Sequence, residues 1–191
     1  MPSQNDRIER IKTITNQSQV KRAIKFSKEE HSKAGTEYDG QCYSVHLHMC
    51  ADTFGCFFPL IEEKSNTELE NILTAIYLHD ILEDCPIHYS KIVEEFNVPV
   101  ADMVYNVTDE LGKNRKERAI KTYPKIASCP NSLFVKLCDR IANTEYSKKT
   151  NSGMLNLYRN EWKSFMENLL IPSRMSGPYR PMIIYLESLI K

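Results

Sequence analysis

The sequence predicts an all-α protein, and three observations carry that expectation. Apolar residues recur at three- and four-residue spacing through most of the chain. No stretch keeps a two-residue alternation for long. Gly and Pro gather between the periodic runs, as in "YDGQ" and "IPSRMSGP".

Taken in order, Ile8, Ile11, Ile14, Val20, Ala23, Ile24 and Phe26 suit one or two amphipathic helices between Asp6 and Lys33. "KAGTEYDGQ" reads as a loop, with Gly35, Asp39 and Gly40 as breakers. A helical pattern resumes from Tyr43 to Phe57. "SNTELENILTAIYLHDILED" predicts a helix capped by Ser65 or Asn66, with Glu68 in its first turn, and Pro86 closes it. "HYSKIVEEF" is a short amphipathic helix, and "VPVADMVYNVTDE" begins another. "NSLFVKLCDRIANTEY" gathers Leu133, Val135, Leu137 and Ile141 on one side. Residues 154–171 and 178–190 supply two last helices. The expected total is roughly eight to ten helices.

A chain of 191 residues, 41% of them hydrophobic, is long enough for one domain with a sizeable core. Residues 1–19 read as an N-terminal helical extension and residues 20–191 as that domain. Basic and acidic residues number 25 each, so the formal charge is zero. That balance argues against a nucleic-acid or membrane-surface partner. No run approaches a transmembrane helix, and "MPSQNDRIER" lacks the apolar stretch of a signal peptide, so a cytoplasmic location is expected. The six cysteines form no CxxC pair and stand among apolar residues. They read as buried thiols in a reducing compartment.

Candidate chemistry centres on "YLHDILEDC", residues 77–85. On a continuous helix His79 would share a face with Glu83, and Asp80 with Glu83 and Asp84. His79 and Asp80, about 100° apart, can still both reach an ion over their shared edge. Ile76, Leu78, Ile81 and Leu82 would bury the rest. Four polar groups on a buried helix are costly unless something pairs them, and a divalent cation can do so. A solvent-facing acidic patch beside one satisfied histidine explains this stretch equally well. Two further stretches add donors. "CYSVHLHMC" offers His46 and His48, and "FVKLCDRIAN" sets Asp139 inside an apolar helix, with Arg140 beside it and Asn143 one turn on. Each has an ordinary alternative: a satisfied core imidazole, or an ion pair from Asp139 to Lys136 or Arg140. Their coincidence in one small helical domain favours a mononuclear site of two histidines and two aspartates.

The order His, then His-Asp, then a distant Asp resembles the HD-domain metal phosphohydrolases. Within these, "GQCYSVH", "LHDILEDC", "VTDE" and "FVKLCDRIAN" resemble, in order and over roughly residues 20–170, the RelA/SpoT-type alarmone hydrolases and their small single-domain metazoan forms. The resemblance implies a single HD-domain helical fold holding one divalent ion, usually Mn2+, on His46, His79, Asp80 and Asp139. His46 is preferred to His48 because it keeps the family's place after Gly40 and Tyr43. Glu83 and Asp84 match the pair that orients or deprotonates the attacking water. Asn143 matches a residue lining the nucleotide pocket, and Tyr43, Tyr158 and Arg140 are further candidates for substrate contact. His31 matches a family histidine read as supporting rather than ligating.

The implied reaction is hydrolysis of the 3'-pyrophosphate of guanosine tetra- or pentaphosphate (ppGpp or pppGpp). The partner is then a small nucleotide, and a homo-oligomer stays open. The chain departs from the family's pattern where substrate charge is met. The loop "HSKAGTEYDGQ" has only Lys33 as a Lys or Arg, against Glu37 and Asp39; Cys42 replaces a proline, and Thr144 and Glu145 follow Asn143. "GKNRKER" offers Lys113, Arg115, Lys116 and Arg118 as replacement phosphate contacts, or reads as a solvated charged loop or helix start. Another substrate therefore stays open, such as a nucleoside monophosphate, a cyclic nucleotide or a ribose-phosphorylated dinucleotide. So does a nucleotide-binding module without hydrolysis.

Overall fold

A computed structural model describes residues 2–171 and 177–191. The protein is all-α. Among the described residues it has ten α-helices of seven residues or more, one single-turn helix and one two-stranded hairpin. The chain divides into two compact units, one ending at Tyr105 and the other beginning at Asn106. No helix of the described residues is long and apolar enough to cross a membrane.

The first unit opens with α1 (Gln4–Thr15), whose N-terminus is closed by a reciprocal cap between Ser3 and Asp6. α2 (Ser18–Ala34) ends at Gly35, which takes the left-handed conformation (φ 70°) and donates its N–H to the last turn. The predicted loop then holds a short hairpin, β1 (Glu37–Tyr38) and β2 (Gln41–Cys42), with Glu37 opposite Cys42 and Tyr38 opposite Gln41. Asp39 (φ 52°) and Gly40 (φ 73°) form its two-residue turn, where positive φ at both positions matches the twist of the strands. α3 (Ser44–Cys56) follows, then a 3-10 turn at Phe58–Leu60.

α4 (Asn66–Leu78) is capped by Ser65 and Glu68, as the sequence predicts, and forms the spine of this unit. Leu69, Ile72, Leu73, Ala75, Ile76 and Leu78 are fully buried on it, and it packs against α1, α2 and α3. Ile14, Val20, Ala23, Leu47 and Phe54 complete the core. Arg10 donates to the Glu62 and Lys64 carbonyls, which fastens α1 to the loop ahead of α4.

The predicted helix through "LHDILED" is not continuous. α4 stops at Leu78, and Asp80 adopts φ −97°, ψ −2°, in the bridge region, which breaks the run of i to i−4 bonds. A single turn, α5 (Ile81–Asp84), restarts with the Glu83 and Asp84 N–H groups on the Asp80 carbonyl. α6 (Tyr89–Glu95) and α7 (Val98–Val107) follow.

The second unit comprises α8 (Arg115–Ala127), α9 (Pro130–Lys149), α10 (Met154–Phe165) with a π turn at Met166–Leu170, and α11 (Arg180–Ile190). α9 packs against α8, α10 and α11 and buries Leu133, Phe134, Val135, Leu137, Cys138 and Ile141. α8 lies where the sequence offered a charged loop or helix start without the helix that follows it. Its first turn is polar, capped by the Asn114 side chain on the Glu117 N–H, and its apolar contacts (Tyr123, Ile126) come late. Residues 172–176 of the "IPSRMSGP" break lie outside the described residues. The cysteines also depart from expectation. All six are thiols, but Cys42 and Cys56 are exposed, Cys129 is half-buried, and only Cys50, Cys85 and Cys138 are buried.

Candidate metal centre

The centre is built from one face of α3 and the break after α4. His46 stands in the first turn of α3 and Cys50 one turn later, so both project from the same face. His79 follows the last residue of α4. His46, Cys50 and His79 are each at most 2% exposed, and their donor atoms lie within 4.8 Å of one another. The His46 and His79 Nε2 atoms are 3.2 Å apart. Asp80 joins them at the edge, its Oδ2 lying 2.9 Å from His79 Nε2 and 3.5 Å from His46 Nε2.

These contacts need a positive charge among them. His79 Nδ1 lies 2.8 Å from the Ile76 carbonyl, which can only accept, so the ring proton sits on Nδ1. His79 Nε2 then turns its lone pair toward the His46 nitrogen and the Asp80 carboxylate. Lone pairs and a carboxylate oxygen at these separations repel unless a proton or a metal ion stands between them. The fixed tautomer with an outward N–H on a carbonyl is also how metal-binding histidines are oriented. The residues fit a divalent ion.

Aromatic rings set the donors in place. Tyr38 of the hairpin stacks on His46 with centroids 4.8 Å apart. Tyr43 donates its hydroxyl to the Asp80 carboxylate, while its ring stacks 4.1 Å from His31. Tyr43, a candidate for substrate contact in the sequence, thus also holds Asp80. His48, the alternative to His46, is exposed and lies 3.3 Å from the Tyr77 hydroxyl, away from the cluster. Cys50 is the member that the sequence reading left among the generic thiols, although its spacing of four residues from His46 was visible.

Glu83 and Asp84 do not share the burial expected of them. Both residues lie beyond the break at Asp80 and are exposed, although the Asp84 side chain itself is half-buried at 31% exposure. Asp84 Oδ2 lies 4.0 Å from His31 Nδ1. Its carboxyl is pushed above the ordinary aspartate value, chiefly by desolvation and then by the Asp80 charge, with Tyr43 opposing.

His31 is 2% exposed, and neither ring nitrogen has a hydrogen-bond partner. Burial drives its pKa from 6.5 down to about 4; the Asp80 charge pulls upward, while His79 and His46 push further down. The unfolded imidazole takes a proton as pH falls through 6.5, whereas the folded one resists until about 4. Stability is therefore whole above 6.5 and drains as pH falls toward 4, by about 3 kcal/mol for this group. His31→Phe is expected to flatten that slope in urea unfolding at pH 7 and pH 4.5. An unchanged difference between the two pH values would remove His31 from the account.

The remaining candidates stand in the second unit. Asp139 is buried at 8% exposure, and its carboxylate accepts from Lys136 Nζ at 2.9 Å and Asn143 Nδ2 at 2.5 Å. Asn143, expected in a nucleotide pocket, is thus directed at Asp139. Arg140 pairs with Glu161 at 2.8 Å and lies over the Tyr158 and Phe165 rings at 4.7 and 5.0 Å. Both Arg140 and Tyr158 are buried in that arrangement. Of the basic segment, Arg115 reaches Glu161 at 2.5 Å and Arg118 reaches Asp109 at 3.4 Å, while Lys113 and Lys116 are exposed.

Fold and centre together define an all-helical protein with a buried His/Cys/His cluster, flanked by Asp80, that can hold a metal ion. Comparison with models of known families and with curated proteins finds no match for this chain.

Proposed function

We propose that the chain is a metal-dependent phosphohydrolase that removes the 3'-pyrophosphate of guanosine tetra- or pentaphosphate, releasing GDP or GTP and pyrophosphate. The convergence of His46 Nε2, His79 Nε2 and Asp80 Oδ2, with two exposed acids immediately after them, carries the reading. The motif resemblance adds Asp139 to the ligand set and supplies the nucleotide.

A bound divalent ion would neutralise phosphate charge and acidify water. Tyr43 holds the Asp80 carboxylate in the orientation the site needs. Glu83 takes the proton of the attacking water, with Asp84 beside it as the alternative acceptor. The water oxygen joins the phosphorus attached to the ribose 3' oxygen, that P–O bond breaks, and the 3' oxygen leaves with a proton. Exposure of the two acids suits this role, since water and nucleotide arrive from solvent.

One observation favours a second substrate within the same chemistry. Lys33, the loop's only lysine or arginine, is held by Glu30 at 2.6 Å. A substrate with fewer phosphates than ppGpp would need less of the missing charge.

Product analysis tests the reading. Purified protein loaded with manganese, or separately with zinc, is incubated with ppGpp and with a panel of nucleoside monophosphates, cyclic nucleotides and ribose-phosphorylated dinucleotides. Pyrophosphate and GDP, abolished by EDTA, are the expected products. Cleavage of another nucleotide alone would move the substrate, and silence across the panel would overturn hydrolysis.

A further inference from the structure

We propose that Cys50 donates sulfur to the metal and that the site thereby prefers zinc, a thiophilic divalent cation, to manganese. The proposal rests on the metal site of the preceding reading and adds a ligand that the motif resemblance does not supply.

Geometry carries it. Cys50 Sγ lies 3.7 Å from His46 Nε2 and 3.8 Å from its Nδ1, and the His46 and His79 Nε2 atoms are 3.2 Å apart. Around a tetrahedral ion, bonds of about 2.1 Å to nitrogen and about 2.3 Å to sulfur give donor separations of roughly 3.4 and 3.6 Å. The observed spacings match both with only small movements. His46 and Cys50 are one turn apart on α3, so the helix itself fixes their separation.

The surroundings agree. Cys50 is 1% exposed, in contrast with Cys42 and Cys56 on the surface, so its sulfur faces the two histidines rather than water. Asp80, with a side chain 20% exposed, marks the side nearer solvent. On binding, a sulfur–metal bond forms, the S–H bond breaks, and the proton passes to solvent. Thiolate and imidazole together suit zinc, whereas manganese prefers carboxylate and water oxygen.

Cobalt substitution of the full-length protein provides the test. Visible d–d absorption reports that one equivalent of Co2+ is bound. A sulfur-to-cobalt charge-transfer band in the near ultraviolet reports the thiolate. Wild type is expected to show both, and Cys50→Ser to keep the first and lose the second. Replacing the exposed thiols together, Cys42→Ser with Cys56→Ser, should leave both intact. Competition between Zn2+ and Mn2+ should show the preference for zinc falling at least about tenfold in Cys50→Ser.

Visible bands without charge transfer in the wild type would overturn the sulfur ligand and leave the metal site standing, a result that needs no variant to fold. A charge-transfer band surviving Cys50→Ser would overturn it as well. Absence of any visible band in the wild type would overturn the metal site itself, and the proposal with it.

Discussion

Purified His79→Ala protein is expected to contain no stoichiometric metal and to lose turnover by at least about a hundredfold. Changing the residues that merely support a ligand already costs 10- to about 100-fold in affinity or activity, and the proposed reading makes His79 a ligand itself. Its Nδ1 is tied to the Ile76 carbonyl, which leaves Nε2 facing both His46 and Asp80. Alanine removes a nitrogen that stands within 3.2 Å of both His46 and Asp80. Metal analysis of the purified protein and turnover at saturating substrate measure the two effects, with circular dichroism to establish that helix content is kept. His48→Ala, on the outer face of α3, should leave both unchanged. Full metal content in His79→Ala would sink the centre as assigned.

Glu83→Gln is expected to keep the metal and slow hydrolysis by on the order of a hundredfold or more, the loss of a general base. Glutamine preserves shape and hydrogen bonding while losing the capacity to accept the proton. Because Glu83 is exposed on α5, the change leaves the core alone, and stability should hold in the same unfolding assay. Asp84→Asn is the companion variant. Asparagine there removes the alternative proton acceptor of the proposed reaction while keeping the side chain's shape. Unchanged turnover in Glu83→Gln together with a collapse in Asp84→Asn would transfer the base to Asp84. Unchanged turnover in both would leave the hydrolytic reading without a base.

The sequence made α4 legible because each local signal agreed: a Ser65 cap, Glu68 three residues later, then apolar residues at helical spacing. Its end was not legible. Leu78 to Asp84 keeps a helical pattern, and only the local backbone at Asp80 breaks it, with Glu83 and Asp84 exposed beyond the break. The hairpin escaped because strands of two residues show no alternation to read. Its Asp39-Gly40 turn was the sole available sign. α8 escaped because its apolar residues come after a wholly polar first turn. His46 and His79 were found from sequence, whereas Cys50 was hidden among six similar thiols.

The position of the cluster between α3 and α4 has a further consequence. α3 begins at Ser44 and presents its positive dipole end, while α4 finishes at Leu78 and presents its negative end. Two partial charges of opposite sign therefore lie next to His46 and His79 in sequence, and their effects on a bound cation would oppose each other. Selectivity among divalent ions at such a site would then rest with a few side chains, His46, Cys50, His79 and Asp80, rather than with the helices that carry them.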